Sequence, residues 1–294
     1  MPNIKSYPFS PINNPLQNLH FIKISERIKK GAGLVEIAHR TDFYIINIVN
    51  EGESRHMVDF QEIKLKQGDV LIITPGQVHK FINTENYDGF LIAFPKDFLY
   101  QSLPDKHFLD HARIFNSIRN VARLSFLEQE LAIVMAHLKR MRTELAGPYD
   151  EFQAPVLRND LFNLLFLMER SFIKMSNQEM PYKDYSQDCL YVMNFKKLVS
   201  QDFKRETKVQ YYAKEMNISE RTLQKAVLQV LGKSPKELIN EQMVLESKRL
   251  LVYGAMSVKE VSYELGFKEP SHFTKFFKAR TGVFPTEFKE NKMY

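Results

Sequence analysis

The sequence predicts an α+β chain of more than one domain, with a small β-barrel or sandwich in front, amphipathic helices after it and an all-helical tail. Three observations predict this. From about Leu19 to Pro95, apolar residues alternate or run in short blocks broken by turn signals. From about Leu124, the apolar period becomes helical. The tail carries one pattern twice, at a spacing of about fifty residues.

In the front part, FYIINIV (Phe43 to Val49) ends at Asn50-Glu51-Gly52. IKLKQGDVLIITPGQVHKF (Ile63 to Phe81) contains the turn signals Gln67-Gly68-Asp69 and Pro75-Gly76, and GFLIAF (Gly89 to Phe94) follows. β-branched and aromatic residues bounded by Gly, Asn, Asp and Pro at this spacing read as short strands. Strand alternation puts Tyr44, Ile46, Ile48, His56 and Phe81 forward as residues lining a pocket.

Leu124, Leu127, Leu131, Val134, Leu138, Met141 and Leu145 are spaced 3, 4, 3, 4, 3, 4, one stripe that ends at Gly147-Pro148. The stripe fits a helix packed on its own barrel or the seam of a two-fold dimer. The dimer seam is preferred, because the duplicated tail favours it. A second apolar helix is expected from about Ala154 to Met175, and polar Asn177 to Gln187, with Pro181, reads as a linker. The predicted domains are thus 1–177, with the barrel over about 19–95 and helices over about 108–177, then a linker at 178–187 and a tail domain at 188–294.

In the tail, Leu223, Lys225, Val227, Gly232 and Pro235 recur 50 residues later as Phe273, Lys275, Phe277, Gly282 and Pro285. Upstream, Val209, Ala213 and Ile218 recur 49 residues later as Val258, Ser262 and Phe267, so the second unit's turn is offset by one residue. Each unit reads as helix, tight turn, helix. In the first, a helix from Val209 to Met216 meets Asn217, which tolerates a left-handed turn, and Ser219 caps the next helix. That helix buries Leu223, Ala226, Val227 and Val230 and leaves Arg221, Gln224 and Lys225 outside. In the second, Ser257 and Glu260 form a capping box, Gly266 makes the turn and Pro270 takes the first helical position. Phe273, Phe276 and Phe277 are expected inside, with Ser271, His272, Thr274, Lys275 and Lys278 outside. Between the units, Ser234-Pro235-Lys236-Glu237 starts a connecting helix that ends near Tyr253-Gly254. Its length of about 27 Å approaches the ~34 Å between successive major-groove faces.

Composition adds limits. The 294 residues are 44% hydrophobic and 26% charged, ordinary for a soluble chain. One cysteine, Cys189, leaves no intramolecular disulfide framework and fits a reducing, cytoplasmic setting. The first residues lack the apolar core of a signal peptide, and LFNLLFLM (Leu161 to Met168) is far short of a membrane span. Up to Met180 the chain has 21 Lys and Arg against 21 Asp and Glu. From Pro181 it has 20 against 14, the whole excess of +6. A basic tail beside a neutral front points to a polyanion as the tail's partner.

The stretch from about Asn194 to Lys289 resembles the DNA-binding domain of the AraC/XylS transcription regulators, above all in SVKEVSYELGFKEPSHFTKFFKARTGVFPTEFK. The resemblance implies a seven-helix domain with two helix-turn-helix units, whose third and sixth helices read double-stranded DNA. By position it assigns base contacts to Arg221, Gln224 and Lys225 and to Ser271, His272, Thr274 and Lys275, with Lys278 and Lys233 on phosphates. The chain departs from the family at Met243-Val244, where an Arg-Leu pair is usual, at Ser262, where Ala is common, and at Asn217, where Gly is common. GDVLIITPGQVHKF (Gly68 to Phe81) resembles the cupin-like sensor barrel found before such domains. It implies a small-molecule effector in the barrel, a helical homodimer interface after it and RNA polymerase as a further partner, with activation the more usual outcome.

Catalysis is not expected. A metal-binding cupin needs two histidines on one strand, a carboxylate and a further histidine. Here His39, His56 and His79 are scattered through the sequence, and a lone His79 reads as a hydrogen-bonded structural residue. No Ser-His-Asp arrangement, phosphate-cradling loop or paired cysteine appears, so no cofactor is expected. Two rival readings remain open: a cupin-type metalloenzyme joined to a DNA-binding module, and a regulator controlled by a protein partner with no small ligand.

Overall fold

A computed structural model describes residues 4–10, 18–27, 29, 37–83, 87–100, 108–115, 122–175 and 187–290. The chain divides into two compact units, one of Ser6–Glu179 and one of Met180–Tyr294 together with Met1–Lys5. Most of the sequence-expected linker lies outside the described residues; Gln187 begins a helix.

The front unit is a curled sheet, a half-barrel, of nine strands among the described residues: β1 (Ser6–Tyr7), β2 (His20–Lys23), β3 (His39–Thr41), β4 (Tyr44–Val58), β5 (Gln61–Lys66), β6 (Asp69–Ile73), β7 (Val78–Asn83), β8 (Tyr87–Phe94) and β9 (Ala122–Ser125). Two short helices, α1 (Lys96–Tyr100) and α2 (Phe108–His111), precede β9, and α3 (Glu128–Ala146) and α4 (Gln153–Met175) follow it. β4 organises the sheet. Its first half pairs antiparallel with β6 and β8, and its second half with β5 and β7.

The break expected at Asn50-Glu51-Gly52 is therefore not a turn. The strand runs on through register shifts at Val49/Glu51 and Arg55/His56, and Gly52 takes φ 76°. Bulges bend a strand and let it change sheets, so one long segment does the work of two short ones. Gly89 lies across from the first shift, where a Cβ would sit 2.1 Å from the Ile48 carbonyl oxygen. The hairpin from β4 to β5 turns at Asp59 and Phe60, both with positive φ, and Asp59 Oδ1 accepts the Val78 N–H at 3.1 Å.

Two cores share this sheet. Ile46, Ile48, Val70, Ile72, Phe90, Ile92 and Phe94 face the helix layer and pack with Val134, Leu138, Met141, Leu157, Leu161 and Leu165. Ile45, Val49, Val58, Leu71, Ile73, Phe81, Tyr87 and Ala93 make the concave inner core. This corrects the expected pocket. Ile46 and Ile48 belong to the helix-side core, and Tyr44 packs there against Phe94 and Phe115. Of the five residues put forward, Phe81 lies in the inner core, and His56 rests against it at 4.2 Å between ring centroids. The bulges shift parity between the two halves of β4, so alternation counted from Tyr44 cannot carry through to His56.

The seven-residue stripe also changes meaning. Leu124 sits in β9 opposite Val70, and Leu127 only caps α3, 71% exposed. Val134, Leu138 and Met141 are fully buried within one chain, and Leu131 and Leu145 pack against the same cluster. The stripe is the inner face of a helix on its own domain, the arrangement not preferred from the sequence. Beside it, buried Asp160 binds Arg140, with His137 Nδ1 at 3.3 Å.

The second unit contains seven helices among the described residues: α5 (Gln187–Asp202), α6 (Val209–Glu215), α7 (Glu220–Leu231), α8 (Pro235–Tyr253), α9 (Val258–Glu264), α10 (Pro270–Thr281) and α11 (Pro285–Glu290). No described helix is long and apolar enough to cross a membrane.

Truncating a fully buried leucine removes transfer energy and leaves a cavity. Leu138→Ala is expected to lower the stability of the front unit by about 2–5 kcal/mol, read by urea unfolding. A loss below 0.5 kcal/mol, ~a tenth of the upper figure, would place Leu138 outside the core.

Candidate nucleic-acid interface

The two tail units are built alike down to the hydrogen bonds of their turns. After α6, Asn217 takes φ 53° and the Ile218 N–H donates to the Ala213 carbonyl at 3.0 Å. After α9, Gly266 takes φ 83° and the Phe267 N–H donates to the Ser262 carbonyl at 3.0 Å. Positive φ favours Gly and is tolerated by Asn, so both residues meet the same demand. Gly266 meets a second one, since a Cβ there would lie 2.4 Å from the Lys204 carbonyl oxygen.

The second helix of each unit is fixed at both ends. α7 starts where Ser219 Oγ accepts the Thr222 N–H at 3.0 Å; α10 starts with Pro270 at its first turn. α7 ends at Gly232 (φ 65°) and α10 at Gly282 (φ 83°), each N–H donating to a carbonyl four residues back at 2.8 Å. Leu223, Ala226 and Val227 are buried on α7, and Phe273 and Phe277 on α10. Val230 and Phe276, expected inside, are half-buried, with the Phe276 ring 5.5 Å from that of Phe267.

What remains outside is a matched pair of polar faces. Arg221, Gln224 and Lys225 are exposed on α7, as are Ser271, His272 and Lys275 on α10. Thr274 is half-buried, and its hydroxyl donates to the Pro270 carbonyl at 3.0 Å. Lys278 lies over the Phe284 ring at 3.8 Å, and Lys233 pairs with Glu241 at 2.6 Å. Both of the lysines expected to meet phosphates therefore have partners within the protein. Leu228 was missed by sequence reasoning. It is 61% exposed, seven residues beyond Arg221 on the same face, at the position that becomes Lys278 in the second unit. The 50-residue register could have found it.

The helix between the units is α8, 19 residues and about 28 Å long. Its capping box is complete: Ser234 Oγ accepts the Glu237 N–H at 3.3 Å, and the Glu237 carboxylate accepts the Ser234 N–H at 2.6 Å. Those bonds hold the Glu237 carboxyl below its ordinary pKa, as the Ser257 bonds do for Glu260 in the box that opens α9. Ile239, Met243, Leu250 and Leu251 are buried together with a Glu246–Arg249 ion pair at 3.1 Å. α5, α7, α9, α10 and α11 all contact this helix.

In the front unit the structure brings together three histidines that lie apart in the sequence. His39, His56 and His79 are not scattered in space: the His39 and His79 ring centroids are 4.2 Å apart, and those of His56 and His79 are 5.7 Å apart. Neither ring nitrogen of His79 has a protein hydrogen-bond partner among the described residues. Among those residues, no three His, Cys, Asp or Glu side chains are arranged to hold a metal ion.

Two family models match parts of the chain. A model described as an AraC-like ligand binding domain matches residues 32–154, and a helix-turn-helix domain model matches residues 212–291. The chain is 23% identical over 267 residues to the HTH-type transcriptional activator RhaS of Salmonella schwarzengrund, covering 86% of this chain and 87% of that protein. It is 24% identical over 264 residues to the RhaS of Escherichia coli O81, with the same coverage. Among solved structures, unsaturated fatty acid-bound ToxT from Vibrio cholerae aligns with a TM-score of 0.41 at 17% identity, over 95% of this chain and 97% of that one. The C-terminal domain of AraT from Geobacillus stearothermophilus aligns at 0.35 and 21% identity, over 37% of this chain and 91% of that one.

The two turns predict unequal responses to substitution. Gly266→Ala is expected to destabilise the tail unit by more than about 1 kcal/mol, through positive φ and the Lys204 contact. Asn217→Gly is expected to change stability by only a few tenths of a kcal/mol, since both residues accept this conformation. Thermal unfolding of both variants checks the pair, and equal losses would contradict the assigned turn geometry.

Proposed function

The chain belongs to the AraC family of transcription regulators, and on that premise we propose that it activates transcription by setting α7 and α10 into successive major grooves of one duplex. One observation carries this reading: two helix-turn-helix units with the same turn bonds flank one buried helix and expose side chains at equivalent offsets. A rod of about 28 Å approaches the ~34 Å groove repeat, and the exposed side chains are of the types that read base edges.

On α7, Arg221 suits guanine, Gln224 suits adenine, and Lys225 suits guanine or a phosphate. Exposed Leu228 adds an apolar contact of the kind a thymine methyl takes. On α10, His272 and Lys275 lead, with Ser271 beside them. Thr274 can still accept a bond while its own proton is held by the Pro270 carbonyl. Lys233 and Lys278 reach phosphates by giving up Glu241 and Phe284.

The front unit, in this reading, binds a small effector on the concave face of its sheet. A second copy of the chain would place further reading helices on a neighbouring half-site. The contact between copies would use the outer side of α3, where Leu127 and Ile133 stay exposed, because Val134, Leu138 and Met141 are already inside one chain. Recruitment of RNA polymerase then follows from where the dimer sits on a promoter.

Selection of bound duplexes from a random pool tests the reading, and enrichment of no sequence would reject it. On the selected site, Arg221→Ala and Lys275→Ala are each expected to cost about 1–3 kcal/mol and to relax preference at one base pair. Lys233→Ala is expected to weaken selected and scrambled duplexes alike. Fluorescence anisotropy titrations on both duplexes measure all three. Unchanged affinity and preference in the first two variants would remove those residues from the reading face.

A further inference from the structure

The 50-residue register that relates the two tail units also matches their reading helices position by position. Arg221 corresponds to Ser271, Gln224 to Thr274, Lys225 to Lys275 and Leu228 to Lys278. All of these side chains are exposed except that of Thr274, which is half-buried. The lysines at the third position cancel, and the other three pairs differ in one direction.

Arg and Gln reach two atoms of one base edge at once, Arg on guanine and Gln on adenine. Against them the second unit sets two hydroxyls. Ser271 offers a single short group, and the Thr274 hydroxyl already gives its proton to the Pro270 carbonyl at 3.0 Å. Leu228, 61% exposed, gains nothing from a phosphate and suits only an apolar base group, the thymine methyl. Lys278 in the matching place carries a charge suited to a phosphate, which holds a duplex without reading it. One further pair runs the other way: the Thr222 hydroxyl is hydrogen-bonded to that of Ser219 at 2.8 Å, while His272 is exposed. A lone imidazole gives one bond to a base edge, which does not make up for Arg221 and Gln224 together.

We propose that the two units divide the labour: α7 sets the sequence of the bound site, and α10 grips the neighbouring groove with little sequence demand. The duplex this chain selects is then lopsided. One half-site has guanine, adenine and thymine fixed by Arg221, Gln224 and Leu228. The other, about one helical turn away, is fixed mainly where Lys275 reaches. This rests on the reading that α7 and α10 both lie on DNA.

The test is selection of bound duplexes by the full chain, with base preference read position by position. About three base pairs are expected to be fixed in one half-site and about one in the other. Arg221→Ser and Gln224→Thr install the second unit's residues in the first. Each is expected to cut the preference for the selected duplex over a scrambled one by about tenfold or more. Lys278→Ala is expected to weaken both duplexes alike, to leave their ratio within about twofold and to flatten the salt dependence of binding. Ser271→Arg is expected to fix a further guanine in the loosely specified half-site, a gain that a misfolded variant cannot give. Equal fixation of the two half-sites overturns the division of labour and keeps the DNA-binding reading. So does a well-fixed half-site whose preferences relax in His272→Ala and not in Arg221→Ser. Enrichment of no sequence overturns both.

Discussion

The tail unit depends on the burial of one helix. α8 begins at a complete capping box and gives up nearly every side to its neighbours. A helix covered in this way cannot bend toward solvent, and it fixes whatever packs on it. α7 and α10 both contact it, so the two exposed faces share one support, and α7 is held by α5 as well. The duplication is then more than a sequence pattern, because the same turn bonds recur on either side of that support.

The front unit shows a different economy. β4 supplies a wall to both of its cores, Ile46 and Ile48 on one side and Ile45, Val49 and Val58 on the other. Alternation along the strand serves the two faces, and its fifteen residues pair with four neighbours across two register shifts. The helix layer closes the convex side with Val134, Leu138 and Met141, which leaves the concave side to the rings of His39, His56 and His79.

How much of this was legible in the sequence follows the range of each interaction. Ser219, Asn217, the Ser257–Glu260 box, Gly266 and Pro270 act within a few residues of themselves, and the structure has each where the sequence put it. The strand parity beyond Val49 was not legible, because a bulge is decided by the partner strand and leaves little trace in its own residues. Nor was the destination of the leucine stripe, since a heptad pattern says which side of a helix is apolar but not what covers it. The meeting of His39, His56 and His79 was hidden for a third reason. They come from three strands, the first two 17 positions apart in sequence and the last two 23, so only the pairing of β3, β4 and β7 joins them.

The cations at the edge of the reading face have one more consequence. Lys278 rests on Phe284, and Lys233 is neutralised by Glu241. Any polyanion must first win them from partners that the protein always carries. The discount falls equally on every stretch of duplex: under the proposed reading it weakens the background grip on the genome, while a site whose bases engage Arg221 and Lys275 loses the same factor from a tighter hold. A scanning protein of this kind leaves wrong addresses sooner.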